Sequence, residues 1–100
     1  MSAVRQYVEK EKRYRQPRLT SADVARDLGI ARSTLSKIVN EEHHMSFNDY
    51  VNLCRLRYAQ RLLSRRKDGQ TTEEITLLAG FSCASTFYRT LKKFKDYEIC

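Results

Sequence analysis

Hydrogen-bond donors that could grip phosphates or read base edges recur at helical spacing in two stretches of this 100-residue chain. Ser33, Ser36 and Lys37 lie in the first, and Ser85, Arg89 and Lys92 in the second. An Arg fork can pair guanine O6 and N7 together; Lys can donate to guanine or phosphate, and Ser hydroxyls to either. Ser82, Ser85 and Thr86 stand near an expected helix start, where backbone N–H groups favour anions. A third run, Arg55, Arg57, Arg61, Arg65, Arg66 and Lys67, suits sugar-phosphate contacts that position a protein without reading sequence. For Arg55 an internal ion pair is the alternative, and for any single member a solvated face. Other chemistry is poorly supplied. His43-His44 lack further ligands at metal spacing, so neither metal nor cofactor is expected. Cys54, Cys83 and Cys100 form no CxxC, and no acid/base pair or nucleophile constellation suggests an enzyme. Cys54 reads as a small core residue, and Cys83 as facing DNA or solvent.

Composition narrows the class. The chain is 41% hydrophobic and 31% charged, with Gly 3 and Pro 1. That is too apolar for disorder and too poor in Gly and Pro for a turn-rich β-sandwich. The formal charge is +7, which points to an anionic partner, nucleic acid before membrane. The excess is uneven. Residues 1–20 carry six Lys/Arg against two Glu, and residues 51–70 six against one; residues 21–50 have an acidic excess and residues 71–100 balance. No apolar run approaches the ~18 residues of a membrane span. The N-terminus lacks the apolar core of a signal peptide, and three scattered cysteines suit a reducing compartment, so the expected location is cytoplasmic.

These residues need helices to place them. Thr20-x-x-Asp23, Ser46-x-x-Asp49 and Thr71-x-x-Glu74 each fit a capping box opening an apolar-periodic stretch. The pattern predicts helices over about 3–14, 21–28, 32–39, 47–66, 72–79 and 83–95. Gly29 and Gly80 close the second and fifth, and Asn40 and Asp68-Gly69 the third and fourth. Nothing alternates with period two, so no sheet is expected.

Val24, Ala25, Leu28, Gly29, Ile30, Leu35 and Ile38 form a helix-turn-helix pattern. It recurs as Ile75, Ala79, Gly80, Phe81, Phe87 and Leu91, with Gly80 lying 51 residues after Gly29. Thr76 replaces the small Ala25 and fits only if its hydroxyl bonds a backbone carbonyl. The helix between the units is apolar over a width that suits two partners. With Leu35, Ile38 and Val39 buried, Ser33 and Lys37 lie opposite, with Ser36 and Asn40 beside them. With Phe87, Leu91 and Phe94 buried, Ser85, Arg89 and Lys92 face out. The bland alternatives are a solvated face for Arg32 and Lys37, and a phosphate clamp or salt bridge for Arg89. Tyr7 and Tyr14 read as core or docking contacts.

Three blocks carry a resemblance. They are Leu19 to Asn40, then Met45-Ser46-Phe47-x-x-Tyr50-Val51-Asn52 with Arg55-x-x-Tyr58-Ala59-x-x-Leu62-Leu63, then Gly80-Phe81-x-x-x-Ser85-Thr86-Phe87-Tyr88-Arg89-x-x-Lys92-Lys93. Over about residues 5–94 the chain resembles the AraC/XylS family of bacterial transcription regulators. The 46–52 wording is similar to sensor-fused members common in Bacteroidetes. The resemblance implies two helix-turn-helix units on a linker helix, meeting successive major grooves of double-stranded DNA from one monomer. It implies base contacts at Arg32, Ser33, Ser36 and Lys37, with Thr34 on the same turn. RNA polymerase, and a sensor or dimerisation domain outside this chain, are the implied protein partners; no membrane contact is expected. Ala31 stands where the family has a capping hydroxyl, and the Gly, Pro and Tyr-Arg that the family carries after Phe94 are missing.

The expectation is therefore an all-α fold of six to seven helices, two helix-turn-helix subdomains joined by a long central helix. Residues 1–45 would hold the N-terminal helix and first unit, 46–67 the linker helix, and 68–100 the second unit. The function expected is sequence-specific DNA binding. The alternative is a basic interaction module that binds a partner protein, or nucleic acid without sequence preference.

Overall fold

The computed structural model describes residues 2–65 and 69–94. The expected ends of the fourth and sixth helices, with Arg66, Lys67, Asp68 and the divergent tail 95–100, lie outside the described residues. Among the described residues there is no strand, and the helices fall in the order α1 (Ser2–Arg5), α2 (Ser21–Leu28), α3 (Arg32–His43), α4 (Phe47–Ser64), α5 (Thr72–Leu78) and α6 (Ala84–Lys93). A π-helical turn, Gln6–Lys10, continues α1, and a 3-10 turn occupies Arg13–Arg15.

Two boundaries differ from the sequence reading. The first helix does not run unbroken to Tyr14. It widens at Gln6 and breaks at Lys12, which takes a left-handed φ of 57°. The break lets Val4 and Val8 share the core with Tyr14 although the three do not keep one helical phase. The third helix does not stop at Asn40. It continues to His43 and is closed by His44 at φ 57°, whose N–H donates to the Asn40 carbonyl at 2.8 Å. Asn40 therefore acts as an acceptor inside the helix rather than as its stop.

The caps show how local sequence fixes the starts. Thr20 and Asp23 form the full reciprocal box before α2. Ser46 and Thr71 each accept one orphan N–H, from Asp49 and Glu74, at 3.1 Å. The Asp49 carboxylate bonds Lys93 of α6 at 2.9 Å, so this acid ties two helices together.

The two helix-turn-helix corners are closed by the same hydrogen bonds. Ile30 N–H donates to Ala25 O at 3.0 Å, and Gly29 N–H to Arg26 O at 3.2 Å. Phe81 N–H donates to Thr76 O at 3.1 Å, and Gly80 N–H to Leu77 O at 3.1 Å. Both are Schellman closures with a glycine in positive φ, 69° at Gly29 and 106° at Gly80. Thr76 is buried, and its hydroxyl donates to the Glu73 carbonyl at 2.8 Å, as its position requires.

Helix α4 is the common support. It buries Phe47, Tyr50, Val51, Leu53, Cys54, Leu56 and Ala59, and packs against α3, α5, α6 and the 3-10 turn. One continuous core runs from Val4 and Val24 through α4 to Phe87 and Phe94. The 3-10 turn lies between the units. On the α4 side, Arg55 donates to Tyr14 O at 2.6 Å and Gln16 O at 2.7 Å, and to Asn52 Oδ1 at 3.0 Å. On the α5 side, a Cβ at Gly80 would lie 2.5 Å from Tyr14 O and 2.7 Å from Arg15 Cα.

Candidate nucleic-acid interface

The exposed face of α3 carries Arg32, Ser33, Thr34, Ser36 and Lys37, all solvent-facing, while Leu35 and Val39 hold its other side to the core. These five lie in the N-terminal half of the helix, the part that meets base edges in helix-turn-helix docking. The helix start has no side-chain cap at Ala31, so its first N–H groups remain available. The last turn is acidic. Glu41 and Glu42 are exposed, and Glu42 pairs with Arg5 at 3.7 Å. Negative charge there disfavours phosphate on the exposed side of that turn and leaves the first half of the helix to meet a DNA backbone.

On α6, Ser85, Arg89 and Lys92 are exposed, as is Ser82 in the preceding turn. Thr86 is half-buried. Its Oγ1 lies 3.5 Å from Arg89 Nη2 and 3.5 Å from Cys83 Sγ, so it braces the helix start. Arg89 borders a groove of about 320 Å³ with Asn52, Thr90 and the Asp49–Lys93 pair. Sequence reasoning missed two residues of this face. Lys93 fixes α6 to α4 through Asp49, and Tyr88 is 53% exposed, on the same side of the helix as Lys92. Its place a third of a turn from Phe87 on the helical wheel would have shown it.

The basic run of α4 divides. Arg55 is buried as a clamp on two backbone carbonyls and a side-chain amide, with no carboxylate among its partners, so it makes neither the expected phosphate contact nor the alternative ion pair. Carbonyls that end a helical turn lack intrahelical donors, and the guanidinium supplies them. Arg57 is half-buried, and Arg61 and Arg65 are exposed. Arg15 and Arg61 flank the Tyr58 ring at 5.4 and 5.8 Å.

Burial shifts two titratable groups behind this face, and a hydrogen bond shifts one at its edge. The Cys54 thiol is pushed up to about 12 by desolvation. The Cys83 thiol, at the start of α6, is drawn below its ordinary value by its bond with Thr86. His43 stacks on Tyr50 at 4.7 Å, and burial lowers its pKa. Among the described residues no three His, Cys, Asp or Glu side chains gather as a metal site. Among them, too, no helix is long and apolar enough to cross a membrane.

Two Schellman-cornered helix pairs on one supporting helix define an all-α double helix-turn-helix domain of the DNA-binding kind. Comparison with known proteins agrees. The sequence profile of a family described as "Helix-turn-helix domain" matches residues 24–97, and the chain belongs to that family, of the AraC/XylS type: it is a DNA-binding transcription-regulator domain. Among solved structures it is similar to the C-terminal domain of the two-component response regulator yesN from Fusobacterium nucleatum. That match has a TM-score of 0.76 and 22% identity over 99% of this chain and 96% of the other. Among curated proteins none matches.

Proposed function

We propose that this chain binds double-stranded DNA sequence-specifically, setting the first half of α3 and the exposed face of α6 into successive major grooves. The observation that carries the reading is the shared support. Both corners have the same closure, and α3 and α6 both pack on α4. The 18 residues of α4 span ~27 Å. The protein is 44 Å long, enough for two helices set ~34 Å apart, one turn of DNA. Arg89 and Lys37 discriminate bases, with Arg32, Ser33, Thr34, Ser36, Ser85 and Lys92 beside them. Ser82 and Thr86 serve the backbone near the start of α6, Arg65 positions the module, and Tyr88 packs against sugar or a thymine methyl.

The working division is residues 1–45, 46–67 and 68–100: first unit, linker and second unit. The chain acts in the cytoplasm, without enzymatic activity, as part of a regulator whose sensor or dimerisation domain is separate. The structural neighbour is a C-terminal domain of a response regulator, which supports that arrangement. RNA polymerase is the proposed protein partner, and the exposed Leu77 and Leu78 of α5 offer it an apolar contact.

Selection from a randomised duplex pool tests the reading. The expected result is an asymmetric site of two blocks one turn apart, preferred ~10³-fold or more over random DNA. No enrichment, with tight binding to any duplex, would replace it with a basic module of no sequence preference.

A further inference from the structure

Behind α3, the N-terminal segment, the last turn of α3 and the middle of α4 line a solvent-open cavity of about 580 Å³. That size lies within the range of small-molecule sites. Its wall holds Arg5, Lys10, Lys12, Arg57 and Arg61 against a single carboxylate, Glu9. Glu9 is already engaged, by Arg5 at 3.8 Å and by the Tyr50 hydroxyl. Among the described residues no carboxylate pairs with Lys10, Lys12, Arg57 or Arg61. Two of the lining residues carry a second signal. His43 Nε2 and Arg57 Nε are buried and have no hydrogen-bond partner. A native protein rarely leaves such groups without a water, ion or ligand to complete them.

Among the described residues Lys10, Lys12 and Arg57 have no acidic partner and Arg61 has only the Tyr58 ring; four cations on two elements, with two unsatisfied nitrogens on the lining residues, suit the charge of phosphate oxygens. We propose that this cavity binds a free small anion with at least two phosphate charges, Lys10 and Lys12 gripping it from the N-terminal segment and Arg57 and Arg61 from α4. The anion adds a bridge to the hydrogen bonds that Tyr50, Arg55 and Tyr58 already make between these segments, so it stabilises the packing of the first helix-turn-helix unit. His43 is the last residue of α3, so occupancy bears on the helix that meets DNA. DNA phosphate shares this chemistry. The free ligand is favoured because His43 lies about 120° around α3 from Lys37, toward the core.

Inorganic pyrophosphate is the probe, titrated at fixed ionic strength into the full chain without DNA and followed by calorimetry and thermal melting. The expected result is saturable one-site binding that raises the melting temperature. K10Q and R61Q, both at exposed positions, each weaken binding about tenfold. R18Q removes the same charge away from the cavity and leaves the affinity within twofold. A duplex in excess does not displace the pyrophosphate. Equal, unsaturable binding in all four proteins means an adventitious ion only and overturns the proposal. Displacement by any duplex, with K10Q and R61Q weakening DNA binding on all sequences alike, assigns the cavity to the DNA backbone and also overturns it.

Discussion

Substituting alanine at the two corner glycines separates backbone strain from a tertiary contact. At Gly29 an added Cβ meets nothing within 4 Å, so G29A bears only the cost of a side chain at φ 69°. That cost is about 1–2 kcal/mol. At Gly80 the φ is 106°, and the Cβ would lie 2.5 Å from Tyr14 O, 2.7 Å from Arg15 Cα and 2.9 Å from Arg15 C. All three are backbone atoms, and Arg55 pins the first of them, so no side chain can swing aside. Strain of about 1–3 kcal/mol adds to overpacking of about 1–3 kcal/mol, giving about 2–6 kcal/mol in all. A domain of this size has roughly 5–15 kcal/mol to lose, and each kcal/mol lowers the melting temperature by about 4–8 °C. Urea unfolding should therefore place G29A modestly below the parent and G80A far below it, with unchanged slopes. Equal losses at the two sites would show that the 3-10 turn moves freely away from α5, and the picture of a wedge between the units would fail.

Other perturbations probe the same structure. R55M removes the donor to Tyr14 O, Gln16 O and Asn52 Oδ1 and should cost on the order of 3 kcal/mol by urea titration; a loss under 1 kcal/mol would show that water replaces it. R89A should relax discrimination at one base position by roughly 1–3 kcal/mol in a competition assay with the fold intact; equal weakening on every sequence would make Arg89 a backbone contact. Cys83, exposed and with a lowered pKa, should be alkylated at neutral pH much faster than the buried Cys54, whose thiol stands at about 12; peptide mapping reads the contrast, and comparable rates would contradict it. His43 has a pKa lowered by burial, so the stability it contributes is complete above about pH 6.5 and is lost as the pH falls below that value. The melting temperature should drop as the pH falls below about 6.5, and H43Q should flatten that drop; an unchanged slope in H43Q would place the titration elsewhere.

Much of the fold is legible in the chain because it answers to local rules. Thr20, Ser46 and Thr71 mark helix starts, since a hydroxyl three residues from an orphan N–H has little else to bond. Gly29 and Gly80 mark both corners, since a Schellman closure needs positive φ, and Thr76 announces the carbonyl it bonds one turn back. The outward face of α3 follows from Leu35 and Val39 by helical phase alone. Tertiary structure decided the remainder. Whether Arg55 faces a phosphate, a carboxylate or a carbonyl depends on Tyr14 and Gln16, 41 and 39 residues away, which no periodicity connects to it. The basic cavity under His43 likewise arises where separate elements meet, and neither the break at Lys12 nor the half-buried place of Thr86 follows from helical periodicity. Backbone preference and hydrophobic phase are properties of a few neighbouring residues, and the sequence determined them. The partners of a buried polar group are set only by how distant segments pack, and that was left to the folded chain.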